Sequence, residues 1–393
     1  MIFNTLAYYF AFLLPTAVLV RWAPERWKTK IIVLSGSLFF LYFGYGEAGR
    51  IAGSACLIIF LWESCFSRLY RPGSVFCMVG VVQALLLLGA FKYWNFLISL
   101  VPGMHAERLV WRSAFLPLGI SFFTFEFIHF AVDRYQGRTE AGGFWEYFSF
   151  ILFFPTMVAG PIKRYQDFLP KLRAIDNDWA LDWHRGITRI LTGLAKKLLV
   201  ADMMTSLTGN LNHAAIATAQ RPILLVWLLA YGVQIYFDFS AYSDIAIGSA
   251  RLMGVRIPEN FNWPYLAQNI SEFWQHWHIS LTRWLIDYVY VPLGGSRMKP
   301  PRIIANLLVT MLLSGIWHGA GLNFLVWGAW HGVLLSIRRI FLLFRPSGLP
   351  DTPGFNVLSW AVTFCAVNLG WAFFCMDIST AVFFFRRLLG VHG

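Results

Sequence analysis

Apolar runs approaching 20 residues, many of them followed by short basic clusters, recur along this chain and limit its fold more than any other feature. A run of that length suits one bilayer crossing as an α-helix, because backbone N–H and C=O groups must be satisfied internally where water is absent. Composition agrees. The 393 residues are 58% hydrophobic and 18% aromatic, with 13% charged, against roughly 25% charged in soluble domains. The sequence therefore predicts an all-α polytopic membrane bundle of about ten to eleven helices, with re-entrant or kinked elements around a central funnel or tunnel. It reads as a single polytopic domain over residues 1–393, with no linker.

The first run, Ile2 to Val20, lacks a basic n-region and a small-residue cleavage site, so it reads as a retained helix. Arg21, Arg26, Lys28 and Lys30 follow it, which puts that loop in the cytoplasm and the N-terminus outside. Ile31 to Tyr45, Ile51 to Phe66 and Val75 to Phe91 continue the alternation, and Pro102 to Arg112 reads as a loop. Next, Glu126 and His129 stand three apart in an apolar helix opened by Pro117 and Gly119. They are either an inward-turned packing pair or the lining of a cavity. Pro155 and Gly160-Pro161 interrupt the following run, as expected of a re-entrant or kinked element. Pro170 to Arg189 is polar, and the Lys196-Lys197 segment reads as an interfacial helix. Longer runs occupy Pro222–Ala250, Ile303–Ile316, Leu325–Ile337 and Phe355–Cys375, and a short apolar tail runs from Thr380 to Leu389.

The net charge of +12 does not indicate nucleic acid, since Lys and Arg form short clusters between apolar runs. Such clusters suit anionic lipid headgroups. The five cysteines show no CxxC or zinc-like spacing and read as small buried hydrophobes.

Between Tyr231 and Gly332 the chain places His276, His278, His318 and His331 beside Asp238, Asp244, Glu272 and Asp287. In an apolar chain each such group must be paired, neutralised or set beside a wet cavity, so the cluster marks function. His318 stands where a span breaks into Gly319-Ala320-Gly321, at the expected mouth of a cavity. His331 lies late in a span, where a histidine is more often a satisfied core residue. If Glu272-to-Trp284 is one helix, Glu272, His276 and Arg283 share a face and His278 projects from a neighbouring one. A neutral imidazole can take the proton of a hydroxyl attacking an activated acyl group. No G-x-S-x-G elbow is present, which favours direct transfer over a serine intermediate. The histidine spacings match no metal signature, so no metal is expected.

These residues carry a resemblance. LPLGISFFTF from Leu116, FFPTMVAGPIKR from Phe153, YFDFSAYSDIAIG from Tyr236, NFNWPY from Asn260, EFWQHWHISLTRW from Glu272, DYVYVPLGG from Asp287 and SGIWHGAGLNFLVWGAWHG from Ser314 resemble the membrane-bound O-acyltransferase family. Within it they are similar to the bacterial branch that acetylates alginate and transfers D-alanine to teichoic acids. The core motif region is 116–332. Two departures stand out: Gln275-His276 replaces a basic pair usual in the family, and Ile286 replaces an Arg, with Arg283 three residues earlier.

The resemblance implies catalysis by His318 at the centre of a tunnel, with His278 as the second family histidine. It also implies a cytoplasmic acyl thioester donor such as acetyl-CoA, no bound cofactor, and an extracytoplasmic partner protein that modifies an exported polysaccharide. The expectation is an O-acetyltransferase of the bacterial inner membrane, with His318 as general base and His278 orienting the acyl group or stabilising the oxyanion. Asp238, Ser240, Tyr242, Asp244, Glu272, Trp274, Trp317 and Asn323 would line the tunnel or support the histidines. The two aspartates could instead hold helices together. Lys163, Arg164, Lys196 and Lys197 are candidates for steering an anionic donor, or solvated anchors. The alternatives are a D-alanyl, lipid or protein acyltransferase and, from another class, a proton-coupled transporter.

Overall fold

The computed structural model describes residues 2–44, 50–101, 117–158, 160–175, 179–344 and 352–391. Among them every regular element is helical and no strand occurs. Five helices are long and apolar enough to cross a membrane: Val75–Ser99, Arg221–Leu252, Pro300–His318, Leu322–Phe344 and Pro353–Cys375. Tyr8–Trp22 is a shorter apolar helix. Large apolar side chains such as Phe10, Leu34, Leu86, Leu229 and Val362 face outward, which suits a surface solvated by lipid tails. The chain is a multi-pass membrane protein. The loop expected over Pro102 to Arg112 lies outside the described residues.

Several boundaries shift. The basic cluster read as a loop is helical, because Glu25–Gly44 begins directly after Pro24. Pro170 lies inside the helix Tyr165–Arg173 instead of opening a polar stretch. The run around Pro155 is broken into Phe144–Ile151 and Phe154–Met157, with Pro155 in the first turn of the second piece, where no amide hydrogen is needed.

Chain contacts gather into two compact units, residues 1–194 with 242–259, and residues 195–241 with 260–393. In the first, Phe39 stacks on Phe154 at 5.1 Å, and the buried Tyr8 donates its hydroxyl to Ser249 Oγ at 2.9 Å. Gly186 and Gly248 allow a close helix approach: a Cβ on Gly186 would sit 2.9 Å from the Gly248 carbonyl oxygen. Gly119, at φ +74°, opens the helix Ile120–Tyr135, and a side chain there would press on the Met157 carbonyl.

Buried ion pairs recur in this unit. Asp182 accepts from Arg21 at 2.8 Å and Arg251 at 3.2 Å, with Arg256 at 3.7 Å. Lys163 and Glu126 form a buried ion pair. His129 Nε2 accepts the Tyr165 amide hydrogen at 3.1 Å, which leaves Nδ1–H to donate to the Phe125 carbonyl at 3.1 Å. Both nitrogens of His129 thus hold backbone in place.

The second unit has an aromatic core that includes Phe273, Trp277, Trp327, Trp371 and Phe384. Pro300–His318 and Leu322–Phe344 form a hairpin whose closest approach is made by Gly315 and Gly328. A Cβ on Gly315 would strike the Phe324 carbonyl, and one on Gly328 would strike that of Met311.

The expected single helix from Glu272 to Trp284 is interrupted. Ile270–His276 stops, Trp277 is extended, His278 takes φ +43°, and Ile279–Leu285 restarts. A non-glycine residue in the left-handed region is uncommon and needs support around it. Residues 260–262 supply that support. The Asn262 amide donates to the His276 carbonyl at 3.0 Å, and the Ile279 amide to the Asn260 carbonyl at 2.9 Å. Those bonds replace backbone pairing that the break would otherwise lose.

Candidate active site

His278 sits at the break, 1% exposed. Its Nδ1 lies 3.1 Å from Asn260 Oδ1, an oxygen that also accepts the Ser280 amide at 3.2 Å and the Ser280 hydroxyl at 2.8 Å. The Ser280 amide can only donate, so the Asn260 oxygen faces this cluster. His278 Nδ1 must therefore carry its proton, and in the neutral ring Nε2 keeps the lone pair. Nε2 is buried and makes no hydrogen bond among the described residues. Asn260 was not singled out in the sequence. Its signal was the NFNWPY motif, whose contact with the WHIS turn only the fold reveals.

His318 ends the helix Pro300–His318, as the following Gly-Ala-Gly run implied. Its ring centroid lies 4.8 Å from that of Trp317, 5.0 Å from Trp327 and 5.1 Å from Phe374. The Trp317 indole is also 6.0 Å from the His278 ring. The fold thus brings two imidazoles to one aromatic residue from segments 40 positions apart. Phe239 closes the other side of His278, edge-on at 4.7 Å.

Several other sequence candidates have separate tasks. Glu272 caps its helix: Asn269 Oδ1 accepts the Glu272 amide at 3.0 Å, and Glu272 Oε2 accepts the Gln268 amide at 2.8 Å. Asn323 donates to the Phe373 carbonyl at 3.2 Å. Ser240 is buried and bonds back to the Phe237 carbonyl at 3.4 Å. Asp238 pairs with Lys197 at 2.7 Å, and Lys197 also meets Asp202 at 2.6 Å. That leaves Lys197 neutralised by two carboxylates, while Lys196 is half-buried.

Four candidates belong to the other unit. Asp244 pairs with Arg189 at 2.7 Å, and Tyr242 packs against Phe3 at 5.4 Å. Lys163 is 1% exposed and held by Glu126. That placement argues against Lys163 as a steering charge, because a buried, paired ammonium presents little field to solvent. Arg164 lies beside it, just ahead of the helix Tyr165–Arg173. Trp274 and His331, by contrast, are buried in the same unit as the histidine pair.

Residues 54–376 match the profile of the membrane-bound O-acyltransferase family. The chain is 36% identical to the probable alginate O-acetylase of Pseudomonas aeruginosa, covering 95% of this chain and 72% of that protein. It is 30% identical to the peptidoglycan O-acetyltransferase of Helicobacter pylori, over 100% of this chain and 80% of the relative. To the teichoic acid D-alanyltransferase of Bacillus subtilis it is 29% identical, over 92% and 94%. These are acyl-transfer enzymes by name, which sets the transporter alternative aside. On the family match and the relatives together, the chain belongs to the membrane-bound O-acyltransferase family and is an acyltransferase.

Proposed function

We propose that this protein is an O-acetyltransferase that passes acetyl groups from a cytoplasmic thioester donor, such as acetyl-CoA, toward an exported polysaccharide. The observation that carries the reading is the convergence of His278 and His318 on Trp317. The two relatives at 36% and 30% identity that are named for O-acetylation add weight to it.

In this scheme His318 is the general base. The hydroxyl oxygen of the acceptor bonds to the acyl carbon while its proton passes to the His318 imidazole. The C–S bond then breaks and the departing sulfur takes that proton, leaving an ester and a free thiol. General-base assistance of this kind is worth about 10²–10⁴ in rate. His278 positions the acceptor. With Nδ1–H engaged by Asn260, Nε2 offers a lone pair, suited to accept from a hydroxyl and unsuited to donate to an oxyanion.

The setting we infer is the bacterial inner membrane, with the N-terminus outside. An extracytoplasmic partner would complete delivery to the glycan. D-alanyl transfer is the second reading, favoured by the relative that matches over 94% of its own length. The test is purified protein in detergent, assayed for acetyl thioester consumption with and without acceptor. His318→Ala should lower turnover by about 10²-fold or more with unchanged thermal stability. Turnover at the wild-type rate would remove His318 from the role of base.

A further inference from the structure

A histidine late in an apolar span is ordinarily a satisfied core residue, yet the fold leaves His331 with unmet needs. It is 0% exposed, and neither ring nitrogen has a hydrogen-bond partner among the described residues. The rings around it are Trp327 at 4.9 Å, Trp274 at 5.1 Å, Phe273 at 6.3 Å and Trp371 at 6.3 Å. The indole N–H groups of Trp274 and Trp327 are also buried without a partner, as is the hydroxyl of Ser314. Other indoles of this unit are met: Trp330 donates to the Ala366 carbonyl at 2.9 Å, Trp360 to Tyr265 at 2.8 Å and Trp371 to the Tyr265 hydroxyl at 3.0 Å. Two unmet indole donors, those of Trp274 and Trp327, therefore belong to rings packed on His331. Buried polar groups in folded proteins are almost always hydrogen-bonded, so such a gathering calls for a ligand.

The geometry ties this cluster to the site. The Trp327 ring centroid lies 5.0 Å from that of His318 and 4.9 Å from that of His331. Ser314 lies four residues before His318 on the same helix, hence on the same face. The ring cluster offers two indole N–H donors and an imidazole, and no ring-contact neighbour of His331 is charged. These groups suit a small uncharged acceptor. They exclude an ion, which would be desolvated there without a counter-charge.

We propose that His331, Trp327 and Trp274 form the acyl subsite, receiving the carbonyl oxygen of a short, uncharged acyl group presented to His318. The inference rests on the reading of His318 as the reacting end. It also favours acetyl over D-alanyl, whose ammonium would meet no carboxylate among these rings. The donors would strengthen their bonds as the carbonyl oxygen gains charge, supplying the stabilisation that His278 Nε2 cannot.

The test separates this claim from the base assignment. Full-length protein in detergent is melted with S-acetylpantetheine, S-D-alanylpantetheine or free pantetheine, the arm common to coenzyme A and carrier donors. The proposal expects wild type and His318→Ala to gain an acetyl-specific rise in midpoint. His331→Phe and Trp327→Phe should lose that rise while keeping the unliganded midpoint, and kcat/KM should fall at least about tenfold, a loss of donor stabilisation. His331→Gln, which restores a donor, should regain part of both. An acetyl-specific rise that survives in both Phe variants overturns the subsite, as does its absence from wild type or an equal rise with the D-alanyl probe. If both Phe variants instead melt several degrees lower without ligand, the residues are structural and the subsite is again overturned. Failure of the base assignment shows separately, as turnover retained by His318→Ala.

Discussion

His278 donates its Nδ1 proton to Asn260 Oδ1 across 3.1 Å, from a backbone turn that the same asparagine holds open. One residue thus sets both the tautomer of the imidazole and the geometry that presents it. The Ser280 amide and hydroxyl fix the asparagine in return. Second partners of this kind commonly decide which imidazole nitrogen is free to act.

Asn260→Asp places a carboxylate where the neutral oxygen stands. A negative charge at that distance favours the imidazolium and raises the His278 pKa. Nε2 then holds a proton until a higher pH, so the acid limb of the kcat/KM profile should move upward. Asn260→Ala should lower activity without that displacement. An unmoved acid limb in the Asp variant would detach His278 from the reaction.

The Lys163–Glu126 pair predicts a stability effect. Lys163→Ala leaves a buried carboxylate alone, a change that costs about 3–5 kcal/mol. Lys163→Met combined with Glu126→Gln should recover most of the loss in thermal midpoint. A stable Lys163→Ala protein with a raised KM for the thioester would restore the steering role.

Asp182 makes stability sensitive to acid. Burial alone would raise its pKa, but hydrogen bonds from Arg21 and Arg251 override it, and the carboxyl stays below its ordinary value. Because the folded value is the lower one, the contribution is present above about pH 4 and fades as pH falls through the folded pKa. Asp182→Asn should therefore melt below wild type near neutrality, and the gap should close on acidification. A gap constant down to about pH 3 would contradict the linkage.

Glu272 is predicted to matter for its helix rather than for chemistry. Glu272→Ala removes the acceptor of the Gln268 amide and should cost about 1 kcal/mol, lowering the midpoint by a few degrees with kcat little changed. A hundredfold loss of kcat in a fully folded variant would place it in the reaction instead.

Local chemistry along the chain settles the solvent and the class of fold. Long apolar runs leave the backbone no choice but helices, and the breaks at Gly319-Ala320-Gly321 and around Pro155 were legible from local backbone chemistry. It also marked His278 and His318 as costly groups needing a reason. What it could not assign was how polar groups divide their partners, since that depends on residues distant in sequence. Asp238 and Glu272 look as chemical as any histidine in the sequence, yet one pairs with Lys197 and the other caps a helix. His331 looked inert, and tertiary structure left its nitrogens among two unmet indoles. The helix through His278 failed because residues 260–262 supply the backbone bonds that make a break tolerable. Burial and pairing are properties of the assembled chain, and they decide which of several equally polar residues is free to act.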